Sequence, residues 1–203
     1  MPSVRAFLIW AVLGAALLAP IALAATSPFL AWREPIYILA GFAGVAGLAL
    51  LLLQPLLAGA YLPGLSPRLA RKVHFWVGLG LVLCVVVHVG GLWVTSPPDV
   101  VDALLFRSPT PFSVWGVIAM WAIFAAALIA ANRARLRLSP RTWRLLHTSL
   151  ALVIVLGTVI HAMLIEGAME IVSKTVFCAI VLAALVVALA KLRAWTLLRR
   201  GRS

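Results

Sequence analysis

Charge is scarce in this 203-residue chain: Asp, Glu, Lys and Arg make up 11% of it, against about 25% in an ordinary soluble domain. With 65% of its residues hydrophobic, the chain cannot wrap a core in a polar surface, which excludes a soluble globular fold. It is built for lipid. Cysteine is scarce too: Cys84 and Cys178 stand far apart in apolar runs, give no disulfide framework and read as small apolar residues. Acids are the third shortage, five against seventeen Lys and Arg, for a formal net charge of +12.

What is present is a series of charge-free runs, at 6–32, 35–67, 73–98, 108–132, 145–165 and 175–190. All but the last exceed the roughly 20 residues of a spanning helix, and the last is long enough if Lys174 snorkels and the helix starts near Met169. The expected helices are therefore 6–25, 36–58, 72–95, 113–132, 142–165 and 170–192, an all-α polytopic membrane bundle of six spans forming a single membrane domain over 1–203. Arg5, an apolar run and Ala22-Leu23-Ala24-Ala25 also resemble a cleavable secretory signal, but the run is long for one, which favours a retained helix. The connections carry turn-formers: Pro63-Gly64, Ser66-Pro67, Ser96-Pro97-Pro98, Ser108-Pro109, Pro111 and Ser139-Pro140. The segment from Asp99 to Phe106 reads as a short outer interfacial helix.

The charges orient these spans. With the N-terminus inside, Arg5, Arg68, Arg71, Lys72, Arg133, Arg135, Arg137, Arg141, Arg144, Lys191, Arg193, Arg199, Arg200 and Arg202 all fall on the cytoplasmic side. Glu34, Asp99, Asp102, Glu166 and Glu170, which are all the acids, fall outside with Arg33, Arg107 and Lys174. Every loop then obeys the positive-inside rule, with both termini cytoplasmic. The net charge is a topology signal and a contact for anionic lipid, and nucleic acid is not needed to explain it.

Four histidines are the chain's only ones, and they form two pairs of equal spacing: His74 and His88, then His147 and His161. Fourteen residues span about 21 Å of helix and return to within roughly 40° of the starting azimuth, so each pair projects from one face at two depths. The third and fifth spans run parallel, and His74 and His147 both lie just past basic residues. His74 should therefore face His147, and His88 should face His161. Ionisable groups in lipid are costly and usually functional, which weighs against a merely structural role in helix–helix hydrogen bonding. Zinc or copper asks for three or four convergent donors, and no acid lies at either depth; Cys84 is the only nearby thiol. A porphyrin asks the protein for only two. The pattern thus points to two haem sites between the third and fifth spans, with His74, His147, His88 and His161 as axial ligands of the iron. Without a Cys-x-x-Cys-His sequence the groups would be non-covalent haem b.

Around them, Arg71, Lys72, Arg141 and Arg144 are candidates to pair with haem propionates, although positive-inside topology also explains them. Gly78, Gly80, Gly90, Gly91 and Gly157 either make room for a macrocycle or let helices pack closely. Phe75, Trp76 and Trp143 are candidates to stack near the inner haem, and interfacial anchoring is a second explanation for Trp143, as for Trp32, Trp93 and Trp195. No repeat, low-complexity tail or soluble domain is evident, although the two His-x13-His helices hint at a distant duplication.

Arg71-Lys72-Val73-His74 through His88, and Trp143-Arg144-Leu145-Leu146-His147 through His161, resemble the ferric reductase-like transmembrane domain over about residues 35–192. That family includes ferric-chelate reductases, NADPH oxidases and the haem-binding membrane subunit of the periplasmic methionine sulfoxide reductase system. Ser108-Pro109-Thr110-Pro111-Phe112 and the Trp-x-x-Leu-His motif are similar to the sulfoxide reductase subunit, whereas His74 fits the full four-histidine set of ferric reductases and oxidases. The resemblance implies an electron-transfer component in a bacterial inner membrane, working from the cytoplasmic side to an acceptor outside. No soluble flavin or nicotinamide domain is recognisable, so FMN, FAD or quinone would act only through a partner. The expected donor is a cytoplasmic flavin reductase or a membrane quinol, and the expected acceptor a periplasmic oxidoreductase or a ferric chelate. Two readings of other kinds stay open: a quinone-coupled cytochrome b of another six-helix family, and a metal-ion permease or structural membrane subunit.

Overall fold

The computed structural model describes residues 3–191, and the described residues contain helices and turns but no strand. In chain order the helices are α1 (Val4–Ala25), α2 (Pro35–Ala58), α3 (Pro67–Thr95), α4 (Pro97–Leu104), α5 (Ser113–Ala131), α6 (Pro140–Leu164) and α7 (Ile171–Lys191). All but α4 are long and apolar enough to cross a membrane, giving the six spans that the charge-free runs predict. The helix α4 takes the place of the short helix expected at 99–106. The basic tail at 193–203, including Trp195, lies outside the described residues.

Two spans start earlier than their apolar runs suggest. Ser66 and Ser139, which the sequence offers as turn residues, are helix N-caps: Ser66 Oγ accepts from the Leu69 amide at 3.3 Å and Ser139 Oγ from the Thr142 amide at 3.1 Å. Pro67 and Pro140 follow at the first helical position, where a missing N–H costs nothing. Because both caps stand eight residues before a histidine, α3 and α6 begin in step.

Lipid gives helices no hydrophobic reason to associate, so they are held by close van der Waals contact where side chains are small. The helix α3 packs chiefly on α2, and α6 chiefly on α5. A Cβ added to Gly91 would lie 2.8 Å from Ala40 Cβ, one on Gly80 3.3 Å from Leu50, and one on Gly157 3.1 Å from the Trp115 carbonyl. These glycines therefore serve α2–α3 and α5–α6 packing rather than making room between the histidine helices. Gly78, beside the Gln54 amide, does the same; only Gly90 of the five faces open space. Between the two helix pairs α7 inserts Phe177 and Val181 against the core that contains Leu52 and Val155.

The loops sort by charge. Trp10 Nε1 donates to the Pro63 carbonyl at 3.2 Å, Tyr61 Oη donates to Val187 O at 3.0 Å, and the Lys191 ammonium lies 4.3 Å over the Tyr61 ring. These contacts bring the start of α1, the α2–α3 loop and the end of α7 to one end of the bundle. That end carries the described basic residues outside Arg33, Arg107 and Lys174, and the acids lie at the other.

Lys174 departs from expectation. Instead of snorkelling it is buried, 6% exposed, and its Nζ donates to Ile165 O at 2.8 Å. A cation there satisfies a carbonyl at the C-terminal end of α6 and complements its dipole. Glu170 closes the facing end, its carboxylate accepting from the Val172 and Ser173 amides at 2.8 and 2.9 Å. Those amides hold its carboxyl below the usual carboxylate range. A depressed folded-state pKa adds stability above the unfolded value of about 4.3 and loses it as pH falls through the folded value. Glu170→Gln is thus expected to speed amide exchange at the first turn of α7 at neutral pH, and wild type to approach the variant only in acid. Equal exchange in both proteins at pH 7 would remove the cap.

Candidate functional site

The four histidine rings meet in two pairs. His74 and His147 have ring centres 6.0 Å apart and planes at 65°; His88 and His161 have centres 6.4 Å apart and planes at 82°. Two helices with fourteen-residue spacings can pair both rings this way only if they are parallel and in register. The rings cross between α3 and α6, each of which rests on its own partner helix.

Nearly every ring is aimed by its back nitrogen. His88 Nδ1 is 2.7 Å from the Ala40 carbonyl on α2, and His161 Nδ1 is 2.9 Å from the Phe112 carbonyl at the start of α5. His74 Nδ1 is 3.3 Å from Gln54 O, while the Gln54 side-chain amide donates to His74 O at 3.4 Å. A carbonyl can only accept, so in these three rings Nδ1 carries the hydrogen and Nε2 keeps its lone pair for a metal. His147 differs: its Nδ1 is buried with no hydrogen-bond partner, and its ring lies against Trp143 at 4.9 Å and 20°. The Arg133 guanidinium covers that indole at 5.0 Å.

The geometry suits a shared metal. Two imidazoles on opposite sides of one ion, bonded at about 2.0–2.1 Å with roughly 1.1 Å from nitrogen to ring centre, would have centres about 6.3 Å apart, whereas a tetrahedral pair, as on zinc, would have them about 5.1 Å apart. Both pairs lie close to the first value. Among the described residues no group of three or more His, Cys, Asp or Glu is placed to hold a metal ion. Each pair therefore offers two imidazoles, which is as much as a haem iron would ask of the protein.

Other expectations sort as follows. Trp143 stacks on the His147 ring, whereas Phe75 and Trp76 are each 58% exposed and pack on one another at 5.6 Å. Arg71 and Arg144 each precede a histidine by three residues, one turn away, and are exposed. The segment Ser108 to Phe112 is tied into a compact turn by hydroxyls. Those of Ser108, Thr110 and Ser113 bond one another, Ser108 to Thr110 at 2.9 Å and to Ser113 at 3.1 Å. They stand beside Phe112, whose carbonyl and ring both contact His161, the ring at 5.8 Å.

Sequence reading missed the acceptors on α2 and just before α5, and it missed a repeat. Leu65-Ser66-Pro67-Arg68-x-x-Arg71-x-x-His74 recurs, 73 residues on, as Leu138-Ser139-Pro140-Arg141-x-x-Arg144-x-x-His147. The same offset carries His88 to His161 and Cys84 to Gly157. In the structure the α2–α3 pair answers to the α5–α6 pair, with Gly47 against Cys84 in one and Ala119 against Gly157 in the other. Each half contributes one imidazole to each site.

No curated protein and no solved structure matches the chain. The family model for the ferric reductase-like transmembrane component matches residues 40–158, more than half of the chain, from the α2 residue whose carbonyl accepts from His88 through most of α6. This chain is an integral membrane protein of the ferric reductase-like transmembrane component family.

Proposed function

We propose that the chain is a membrane cytochrome b that carries electrons across the bilayer, with His74 and His147 holding one haem and His88 and His161 the other. The observation that supports this most directly is the pair of ring separations, 6.0 and 6.4 Å, each between two imidazoles with no third donor group among the described residues. Three of the four rings are fixed in the tautomer that leaves Nε2 for iron. A bound haem would supply a one-electron iron couple, and an iron held by both imidazoles of a pair would be left no open position, which suits electron transfer rather than oxygen or substrate binding. The protein's part is to aim the imidazoles and to hold them in a low-dielectric bundle. Arg71 and Arg144, one turn before the inner histidines, are suited to meet carboxylates of the macrocycle there.

The donor on this reading is a flavin reductase or a quinol at the basic face, and the acceptor lies beyond the acidic face. The hydroxyl cluster around Ser108 to Ser113 favours, as a second reading, the haem subunit of a periplasmic methionine sulfoxide reductase system, because the motif resembling that subunit is the one that holds His161. A pyridine haemochrome assay on protein purified after expression with ample haem is expected to find two haem b per chain and low-spin spectra in both oxidation states. Absence of haem would remove the proposal, and a value near one would remove one of the two sites.

A further inference from the structure

The outer pair is built against two glycines that are not on the histidine helices. A Cβ on Gly44 of α2 would lie 3.1 Å from His88 Nδ1 and 3.2 Å from its Cε1. One on Gly116 of α5 would lie 2.7 Å from His161 Nδ1 and 2.9 Å from its Cε1. Each glycine stands four residues, one helical turn, after the residue whose carbonyl accepts from that same nitrogen: Ala40 before Gly44, and Phe112 before Gly116. The same device therefore occurs in both halves of the repeat. A bare next turn lets an imidazole come close to such a carbonyl from the side; where that turn carries Ala58, His74 Nδ1 stays 3.3 Å from Gln54 O.

We infer that Gly44 and Gly116 are positioning residues of the outer pair: by leaving that turn bare they let His88 and His161 bond the Ala40 and Phe112 carbonyls, and so set the donor strength of each Nε2. This rests on the haem reading above. Pulling on Nδ1–H raises the basicity of Nε2, and a more basic ligand favours ferric over ferrous iron. A methyl group at Gly116 comes closer than real Cβ contacts allow, so the imidazole must move off its acceptor. At Gly44 the crowding is milder and a displacement of a few tenths of an ångström relieves it.

The test is redox titration of the full chain in detergent or membranes, monitored by the haem absorbance and by low-spin paramagnetic resonance. The outer component is identified as the one lost in His88→Ala. Gly116→Ala is expected to cost the outer iron about tenfold in ferric preference, within the usual range for such supporting contacts, which raises its midpoint by about 59 mV for one electron, or to lose that component outright. Gly44→Ala is expected to shift it in the same direction by less. Gly41→Ala, whose added methyl meets nothing within 4 Å, serves as the control and should match wild type. The component lost in His74→Ala reports that each variant has folded. If Gly116→Ala proves too damaging to retain that inner component, Gly44→Ala decides alone. Outer midpoints in Gly44→Ala and Gly116→Ala equal to that of Gly41→Ala would overturn the inference. A wild type with no component removed by His88→Ala would instead mark failure of the haem reading itself.

Discussion

Replacing His161 with alanine is expected to abolish one of the two low-spin haem components and leave the other in place, and His88→Ala should abolish the same one. His74→Ala and His147→Ala should both abolish the other. The expectation comes from ring pairing: His88 reaches His161 at 6.4 Å and His74 reaches His147 at 6.0 Å, while members of different pairs are about 21 Å apart along their helices. An axial ligand lost at one level leaves the other level with both of its own. The two components should also differ in potential. Both outer rings give Nδ1–H to a carbonyl at 2.7 and 2.9 Å; the inner pair has one longer bond, at 3.3 Å, and a His147 nitrogen with no acceptor. Weaker pull on the inner ligands, with Arg71 and Arg144 one turn away, favours the ferrous state, so the component removed by His74→Ala is expected to titrate higher. Optical redox titration of the four single variants tests both points. Loss of the same component from His74→Ala and His161→Ala would refute the pairing.

That pairing is legible in the sequence because it depends on helical period and on depth, and both are written in the chain: fourteen residues between histidines, basic residues just before His74 and His147, and no charge between. Helix starts are less legible. Ser-Pro reads as a turn when only apolar runs are considered, yet Ser66 and Ser139 are caps and both helices begin in front of the basic residues, not behind them. The supporting shell is not legible at all. Ala40, Gly44, Phe112 and Gly116 act through a backbone carbonyl and a missing side chain, and neither has a chemical signature in sequence. Lys174 misleads for a related reason: a lysine near a helix end has two ways to satisfy its charge, and only the bundle shows that the Ile165 carbonyl is within reach. The repeat is within reach of sequence alone, since Leu-Ser-Pro-Arg-x-x-Arg-x-x-His is identical at its fixed positions in both copies. Its signal lies in the segments before the two histidine pairs, outside the spacing that first draws the eye.

Nicotinamide nucleotide alone is expected to leave the haems of the purified chain oxidised, whereas a flavin reductase with its nucleotide, or a quinol, should reduce them from the basic face. On the proposed reading the electrons come from a separate partner, and these 203 residues show no glycine-rich nucleotide-binding motif. The basic end gathers Arg68, Arg71, Lys72, Arg133, Arg135, Arg137, Arg141 and Arg144, and in the proposed orientation, which follows the positive-inside rule, that end is the cytoplasmic one. Trp143 lies on the same side, between the Arg133 guanidinium and the His147 ring. At the far end the outer pair sits within about two turns of the ends of α3 and α6, next to loops that carry the acids. A membrane potential that is negative inside favours outward movement of an electron by up to about 2.3 kcal/mol per 100 mV for a full crossing. In oriented vesicles, an impermeant acceptor is therefore expected to be reduced only on the acidic side, and faster when an inside-negative potential is imposed. His88→Ala should stop that delivery while leaving inner reduction at the basic face intact. Rapid haem reduction by NADH or NADPH with the chain alone would remove the need for a partner, and reduction of an acceptor confined to the acidic side that persists in His88→Ala would overturn the proposed path.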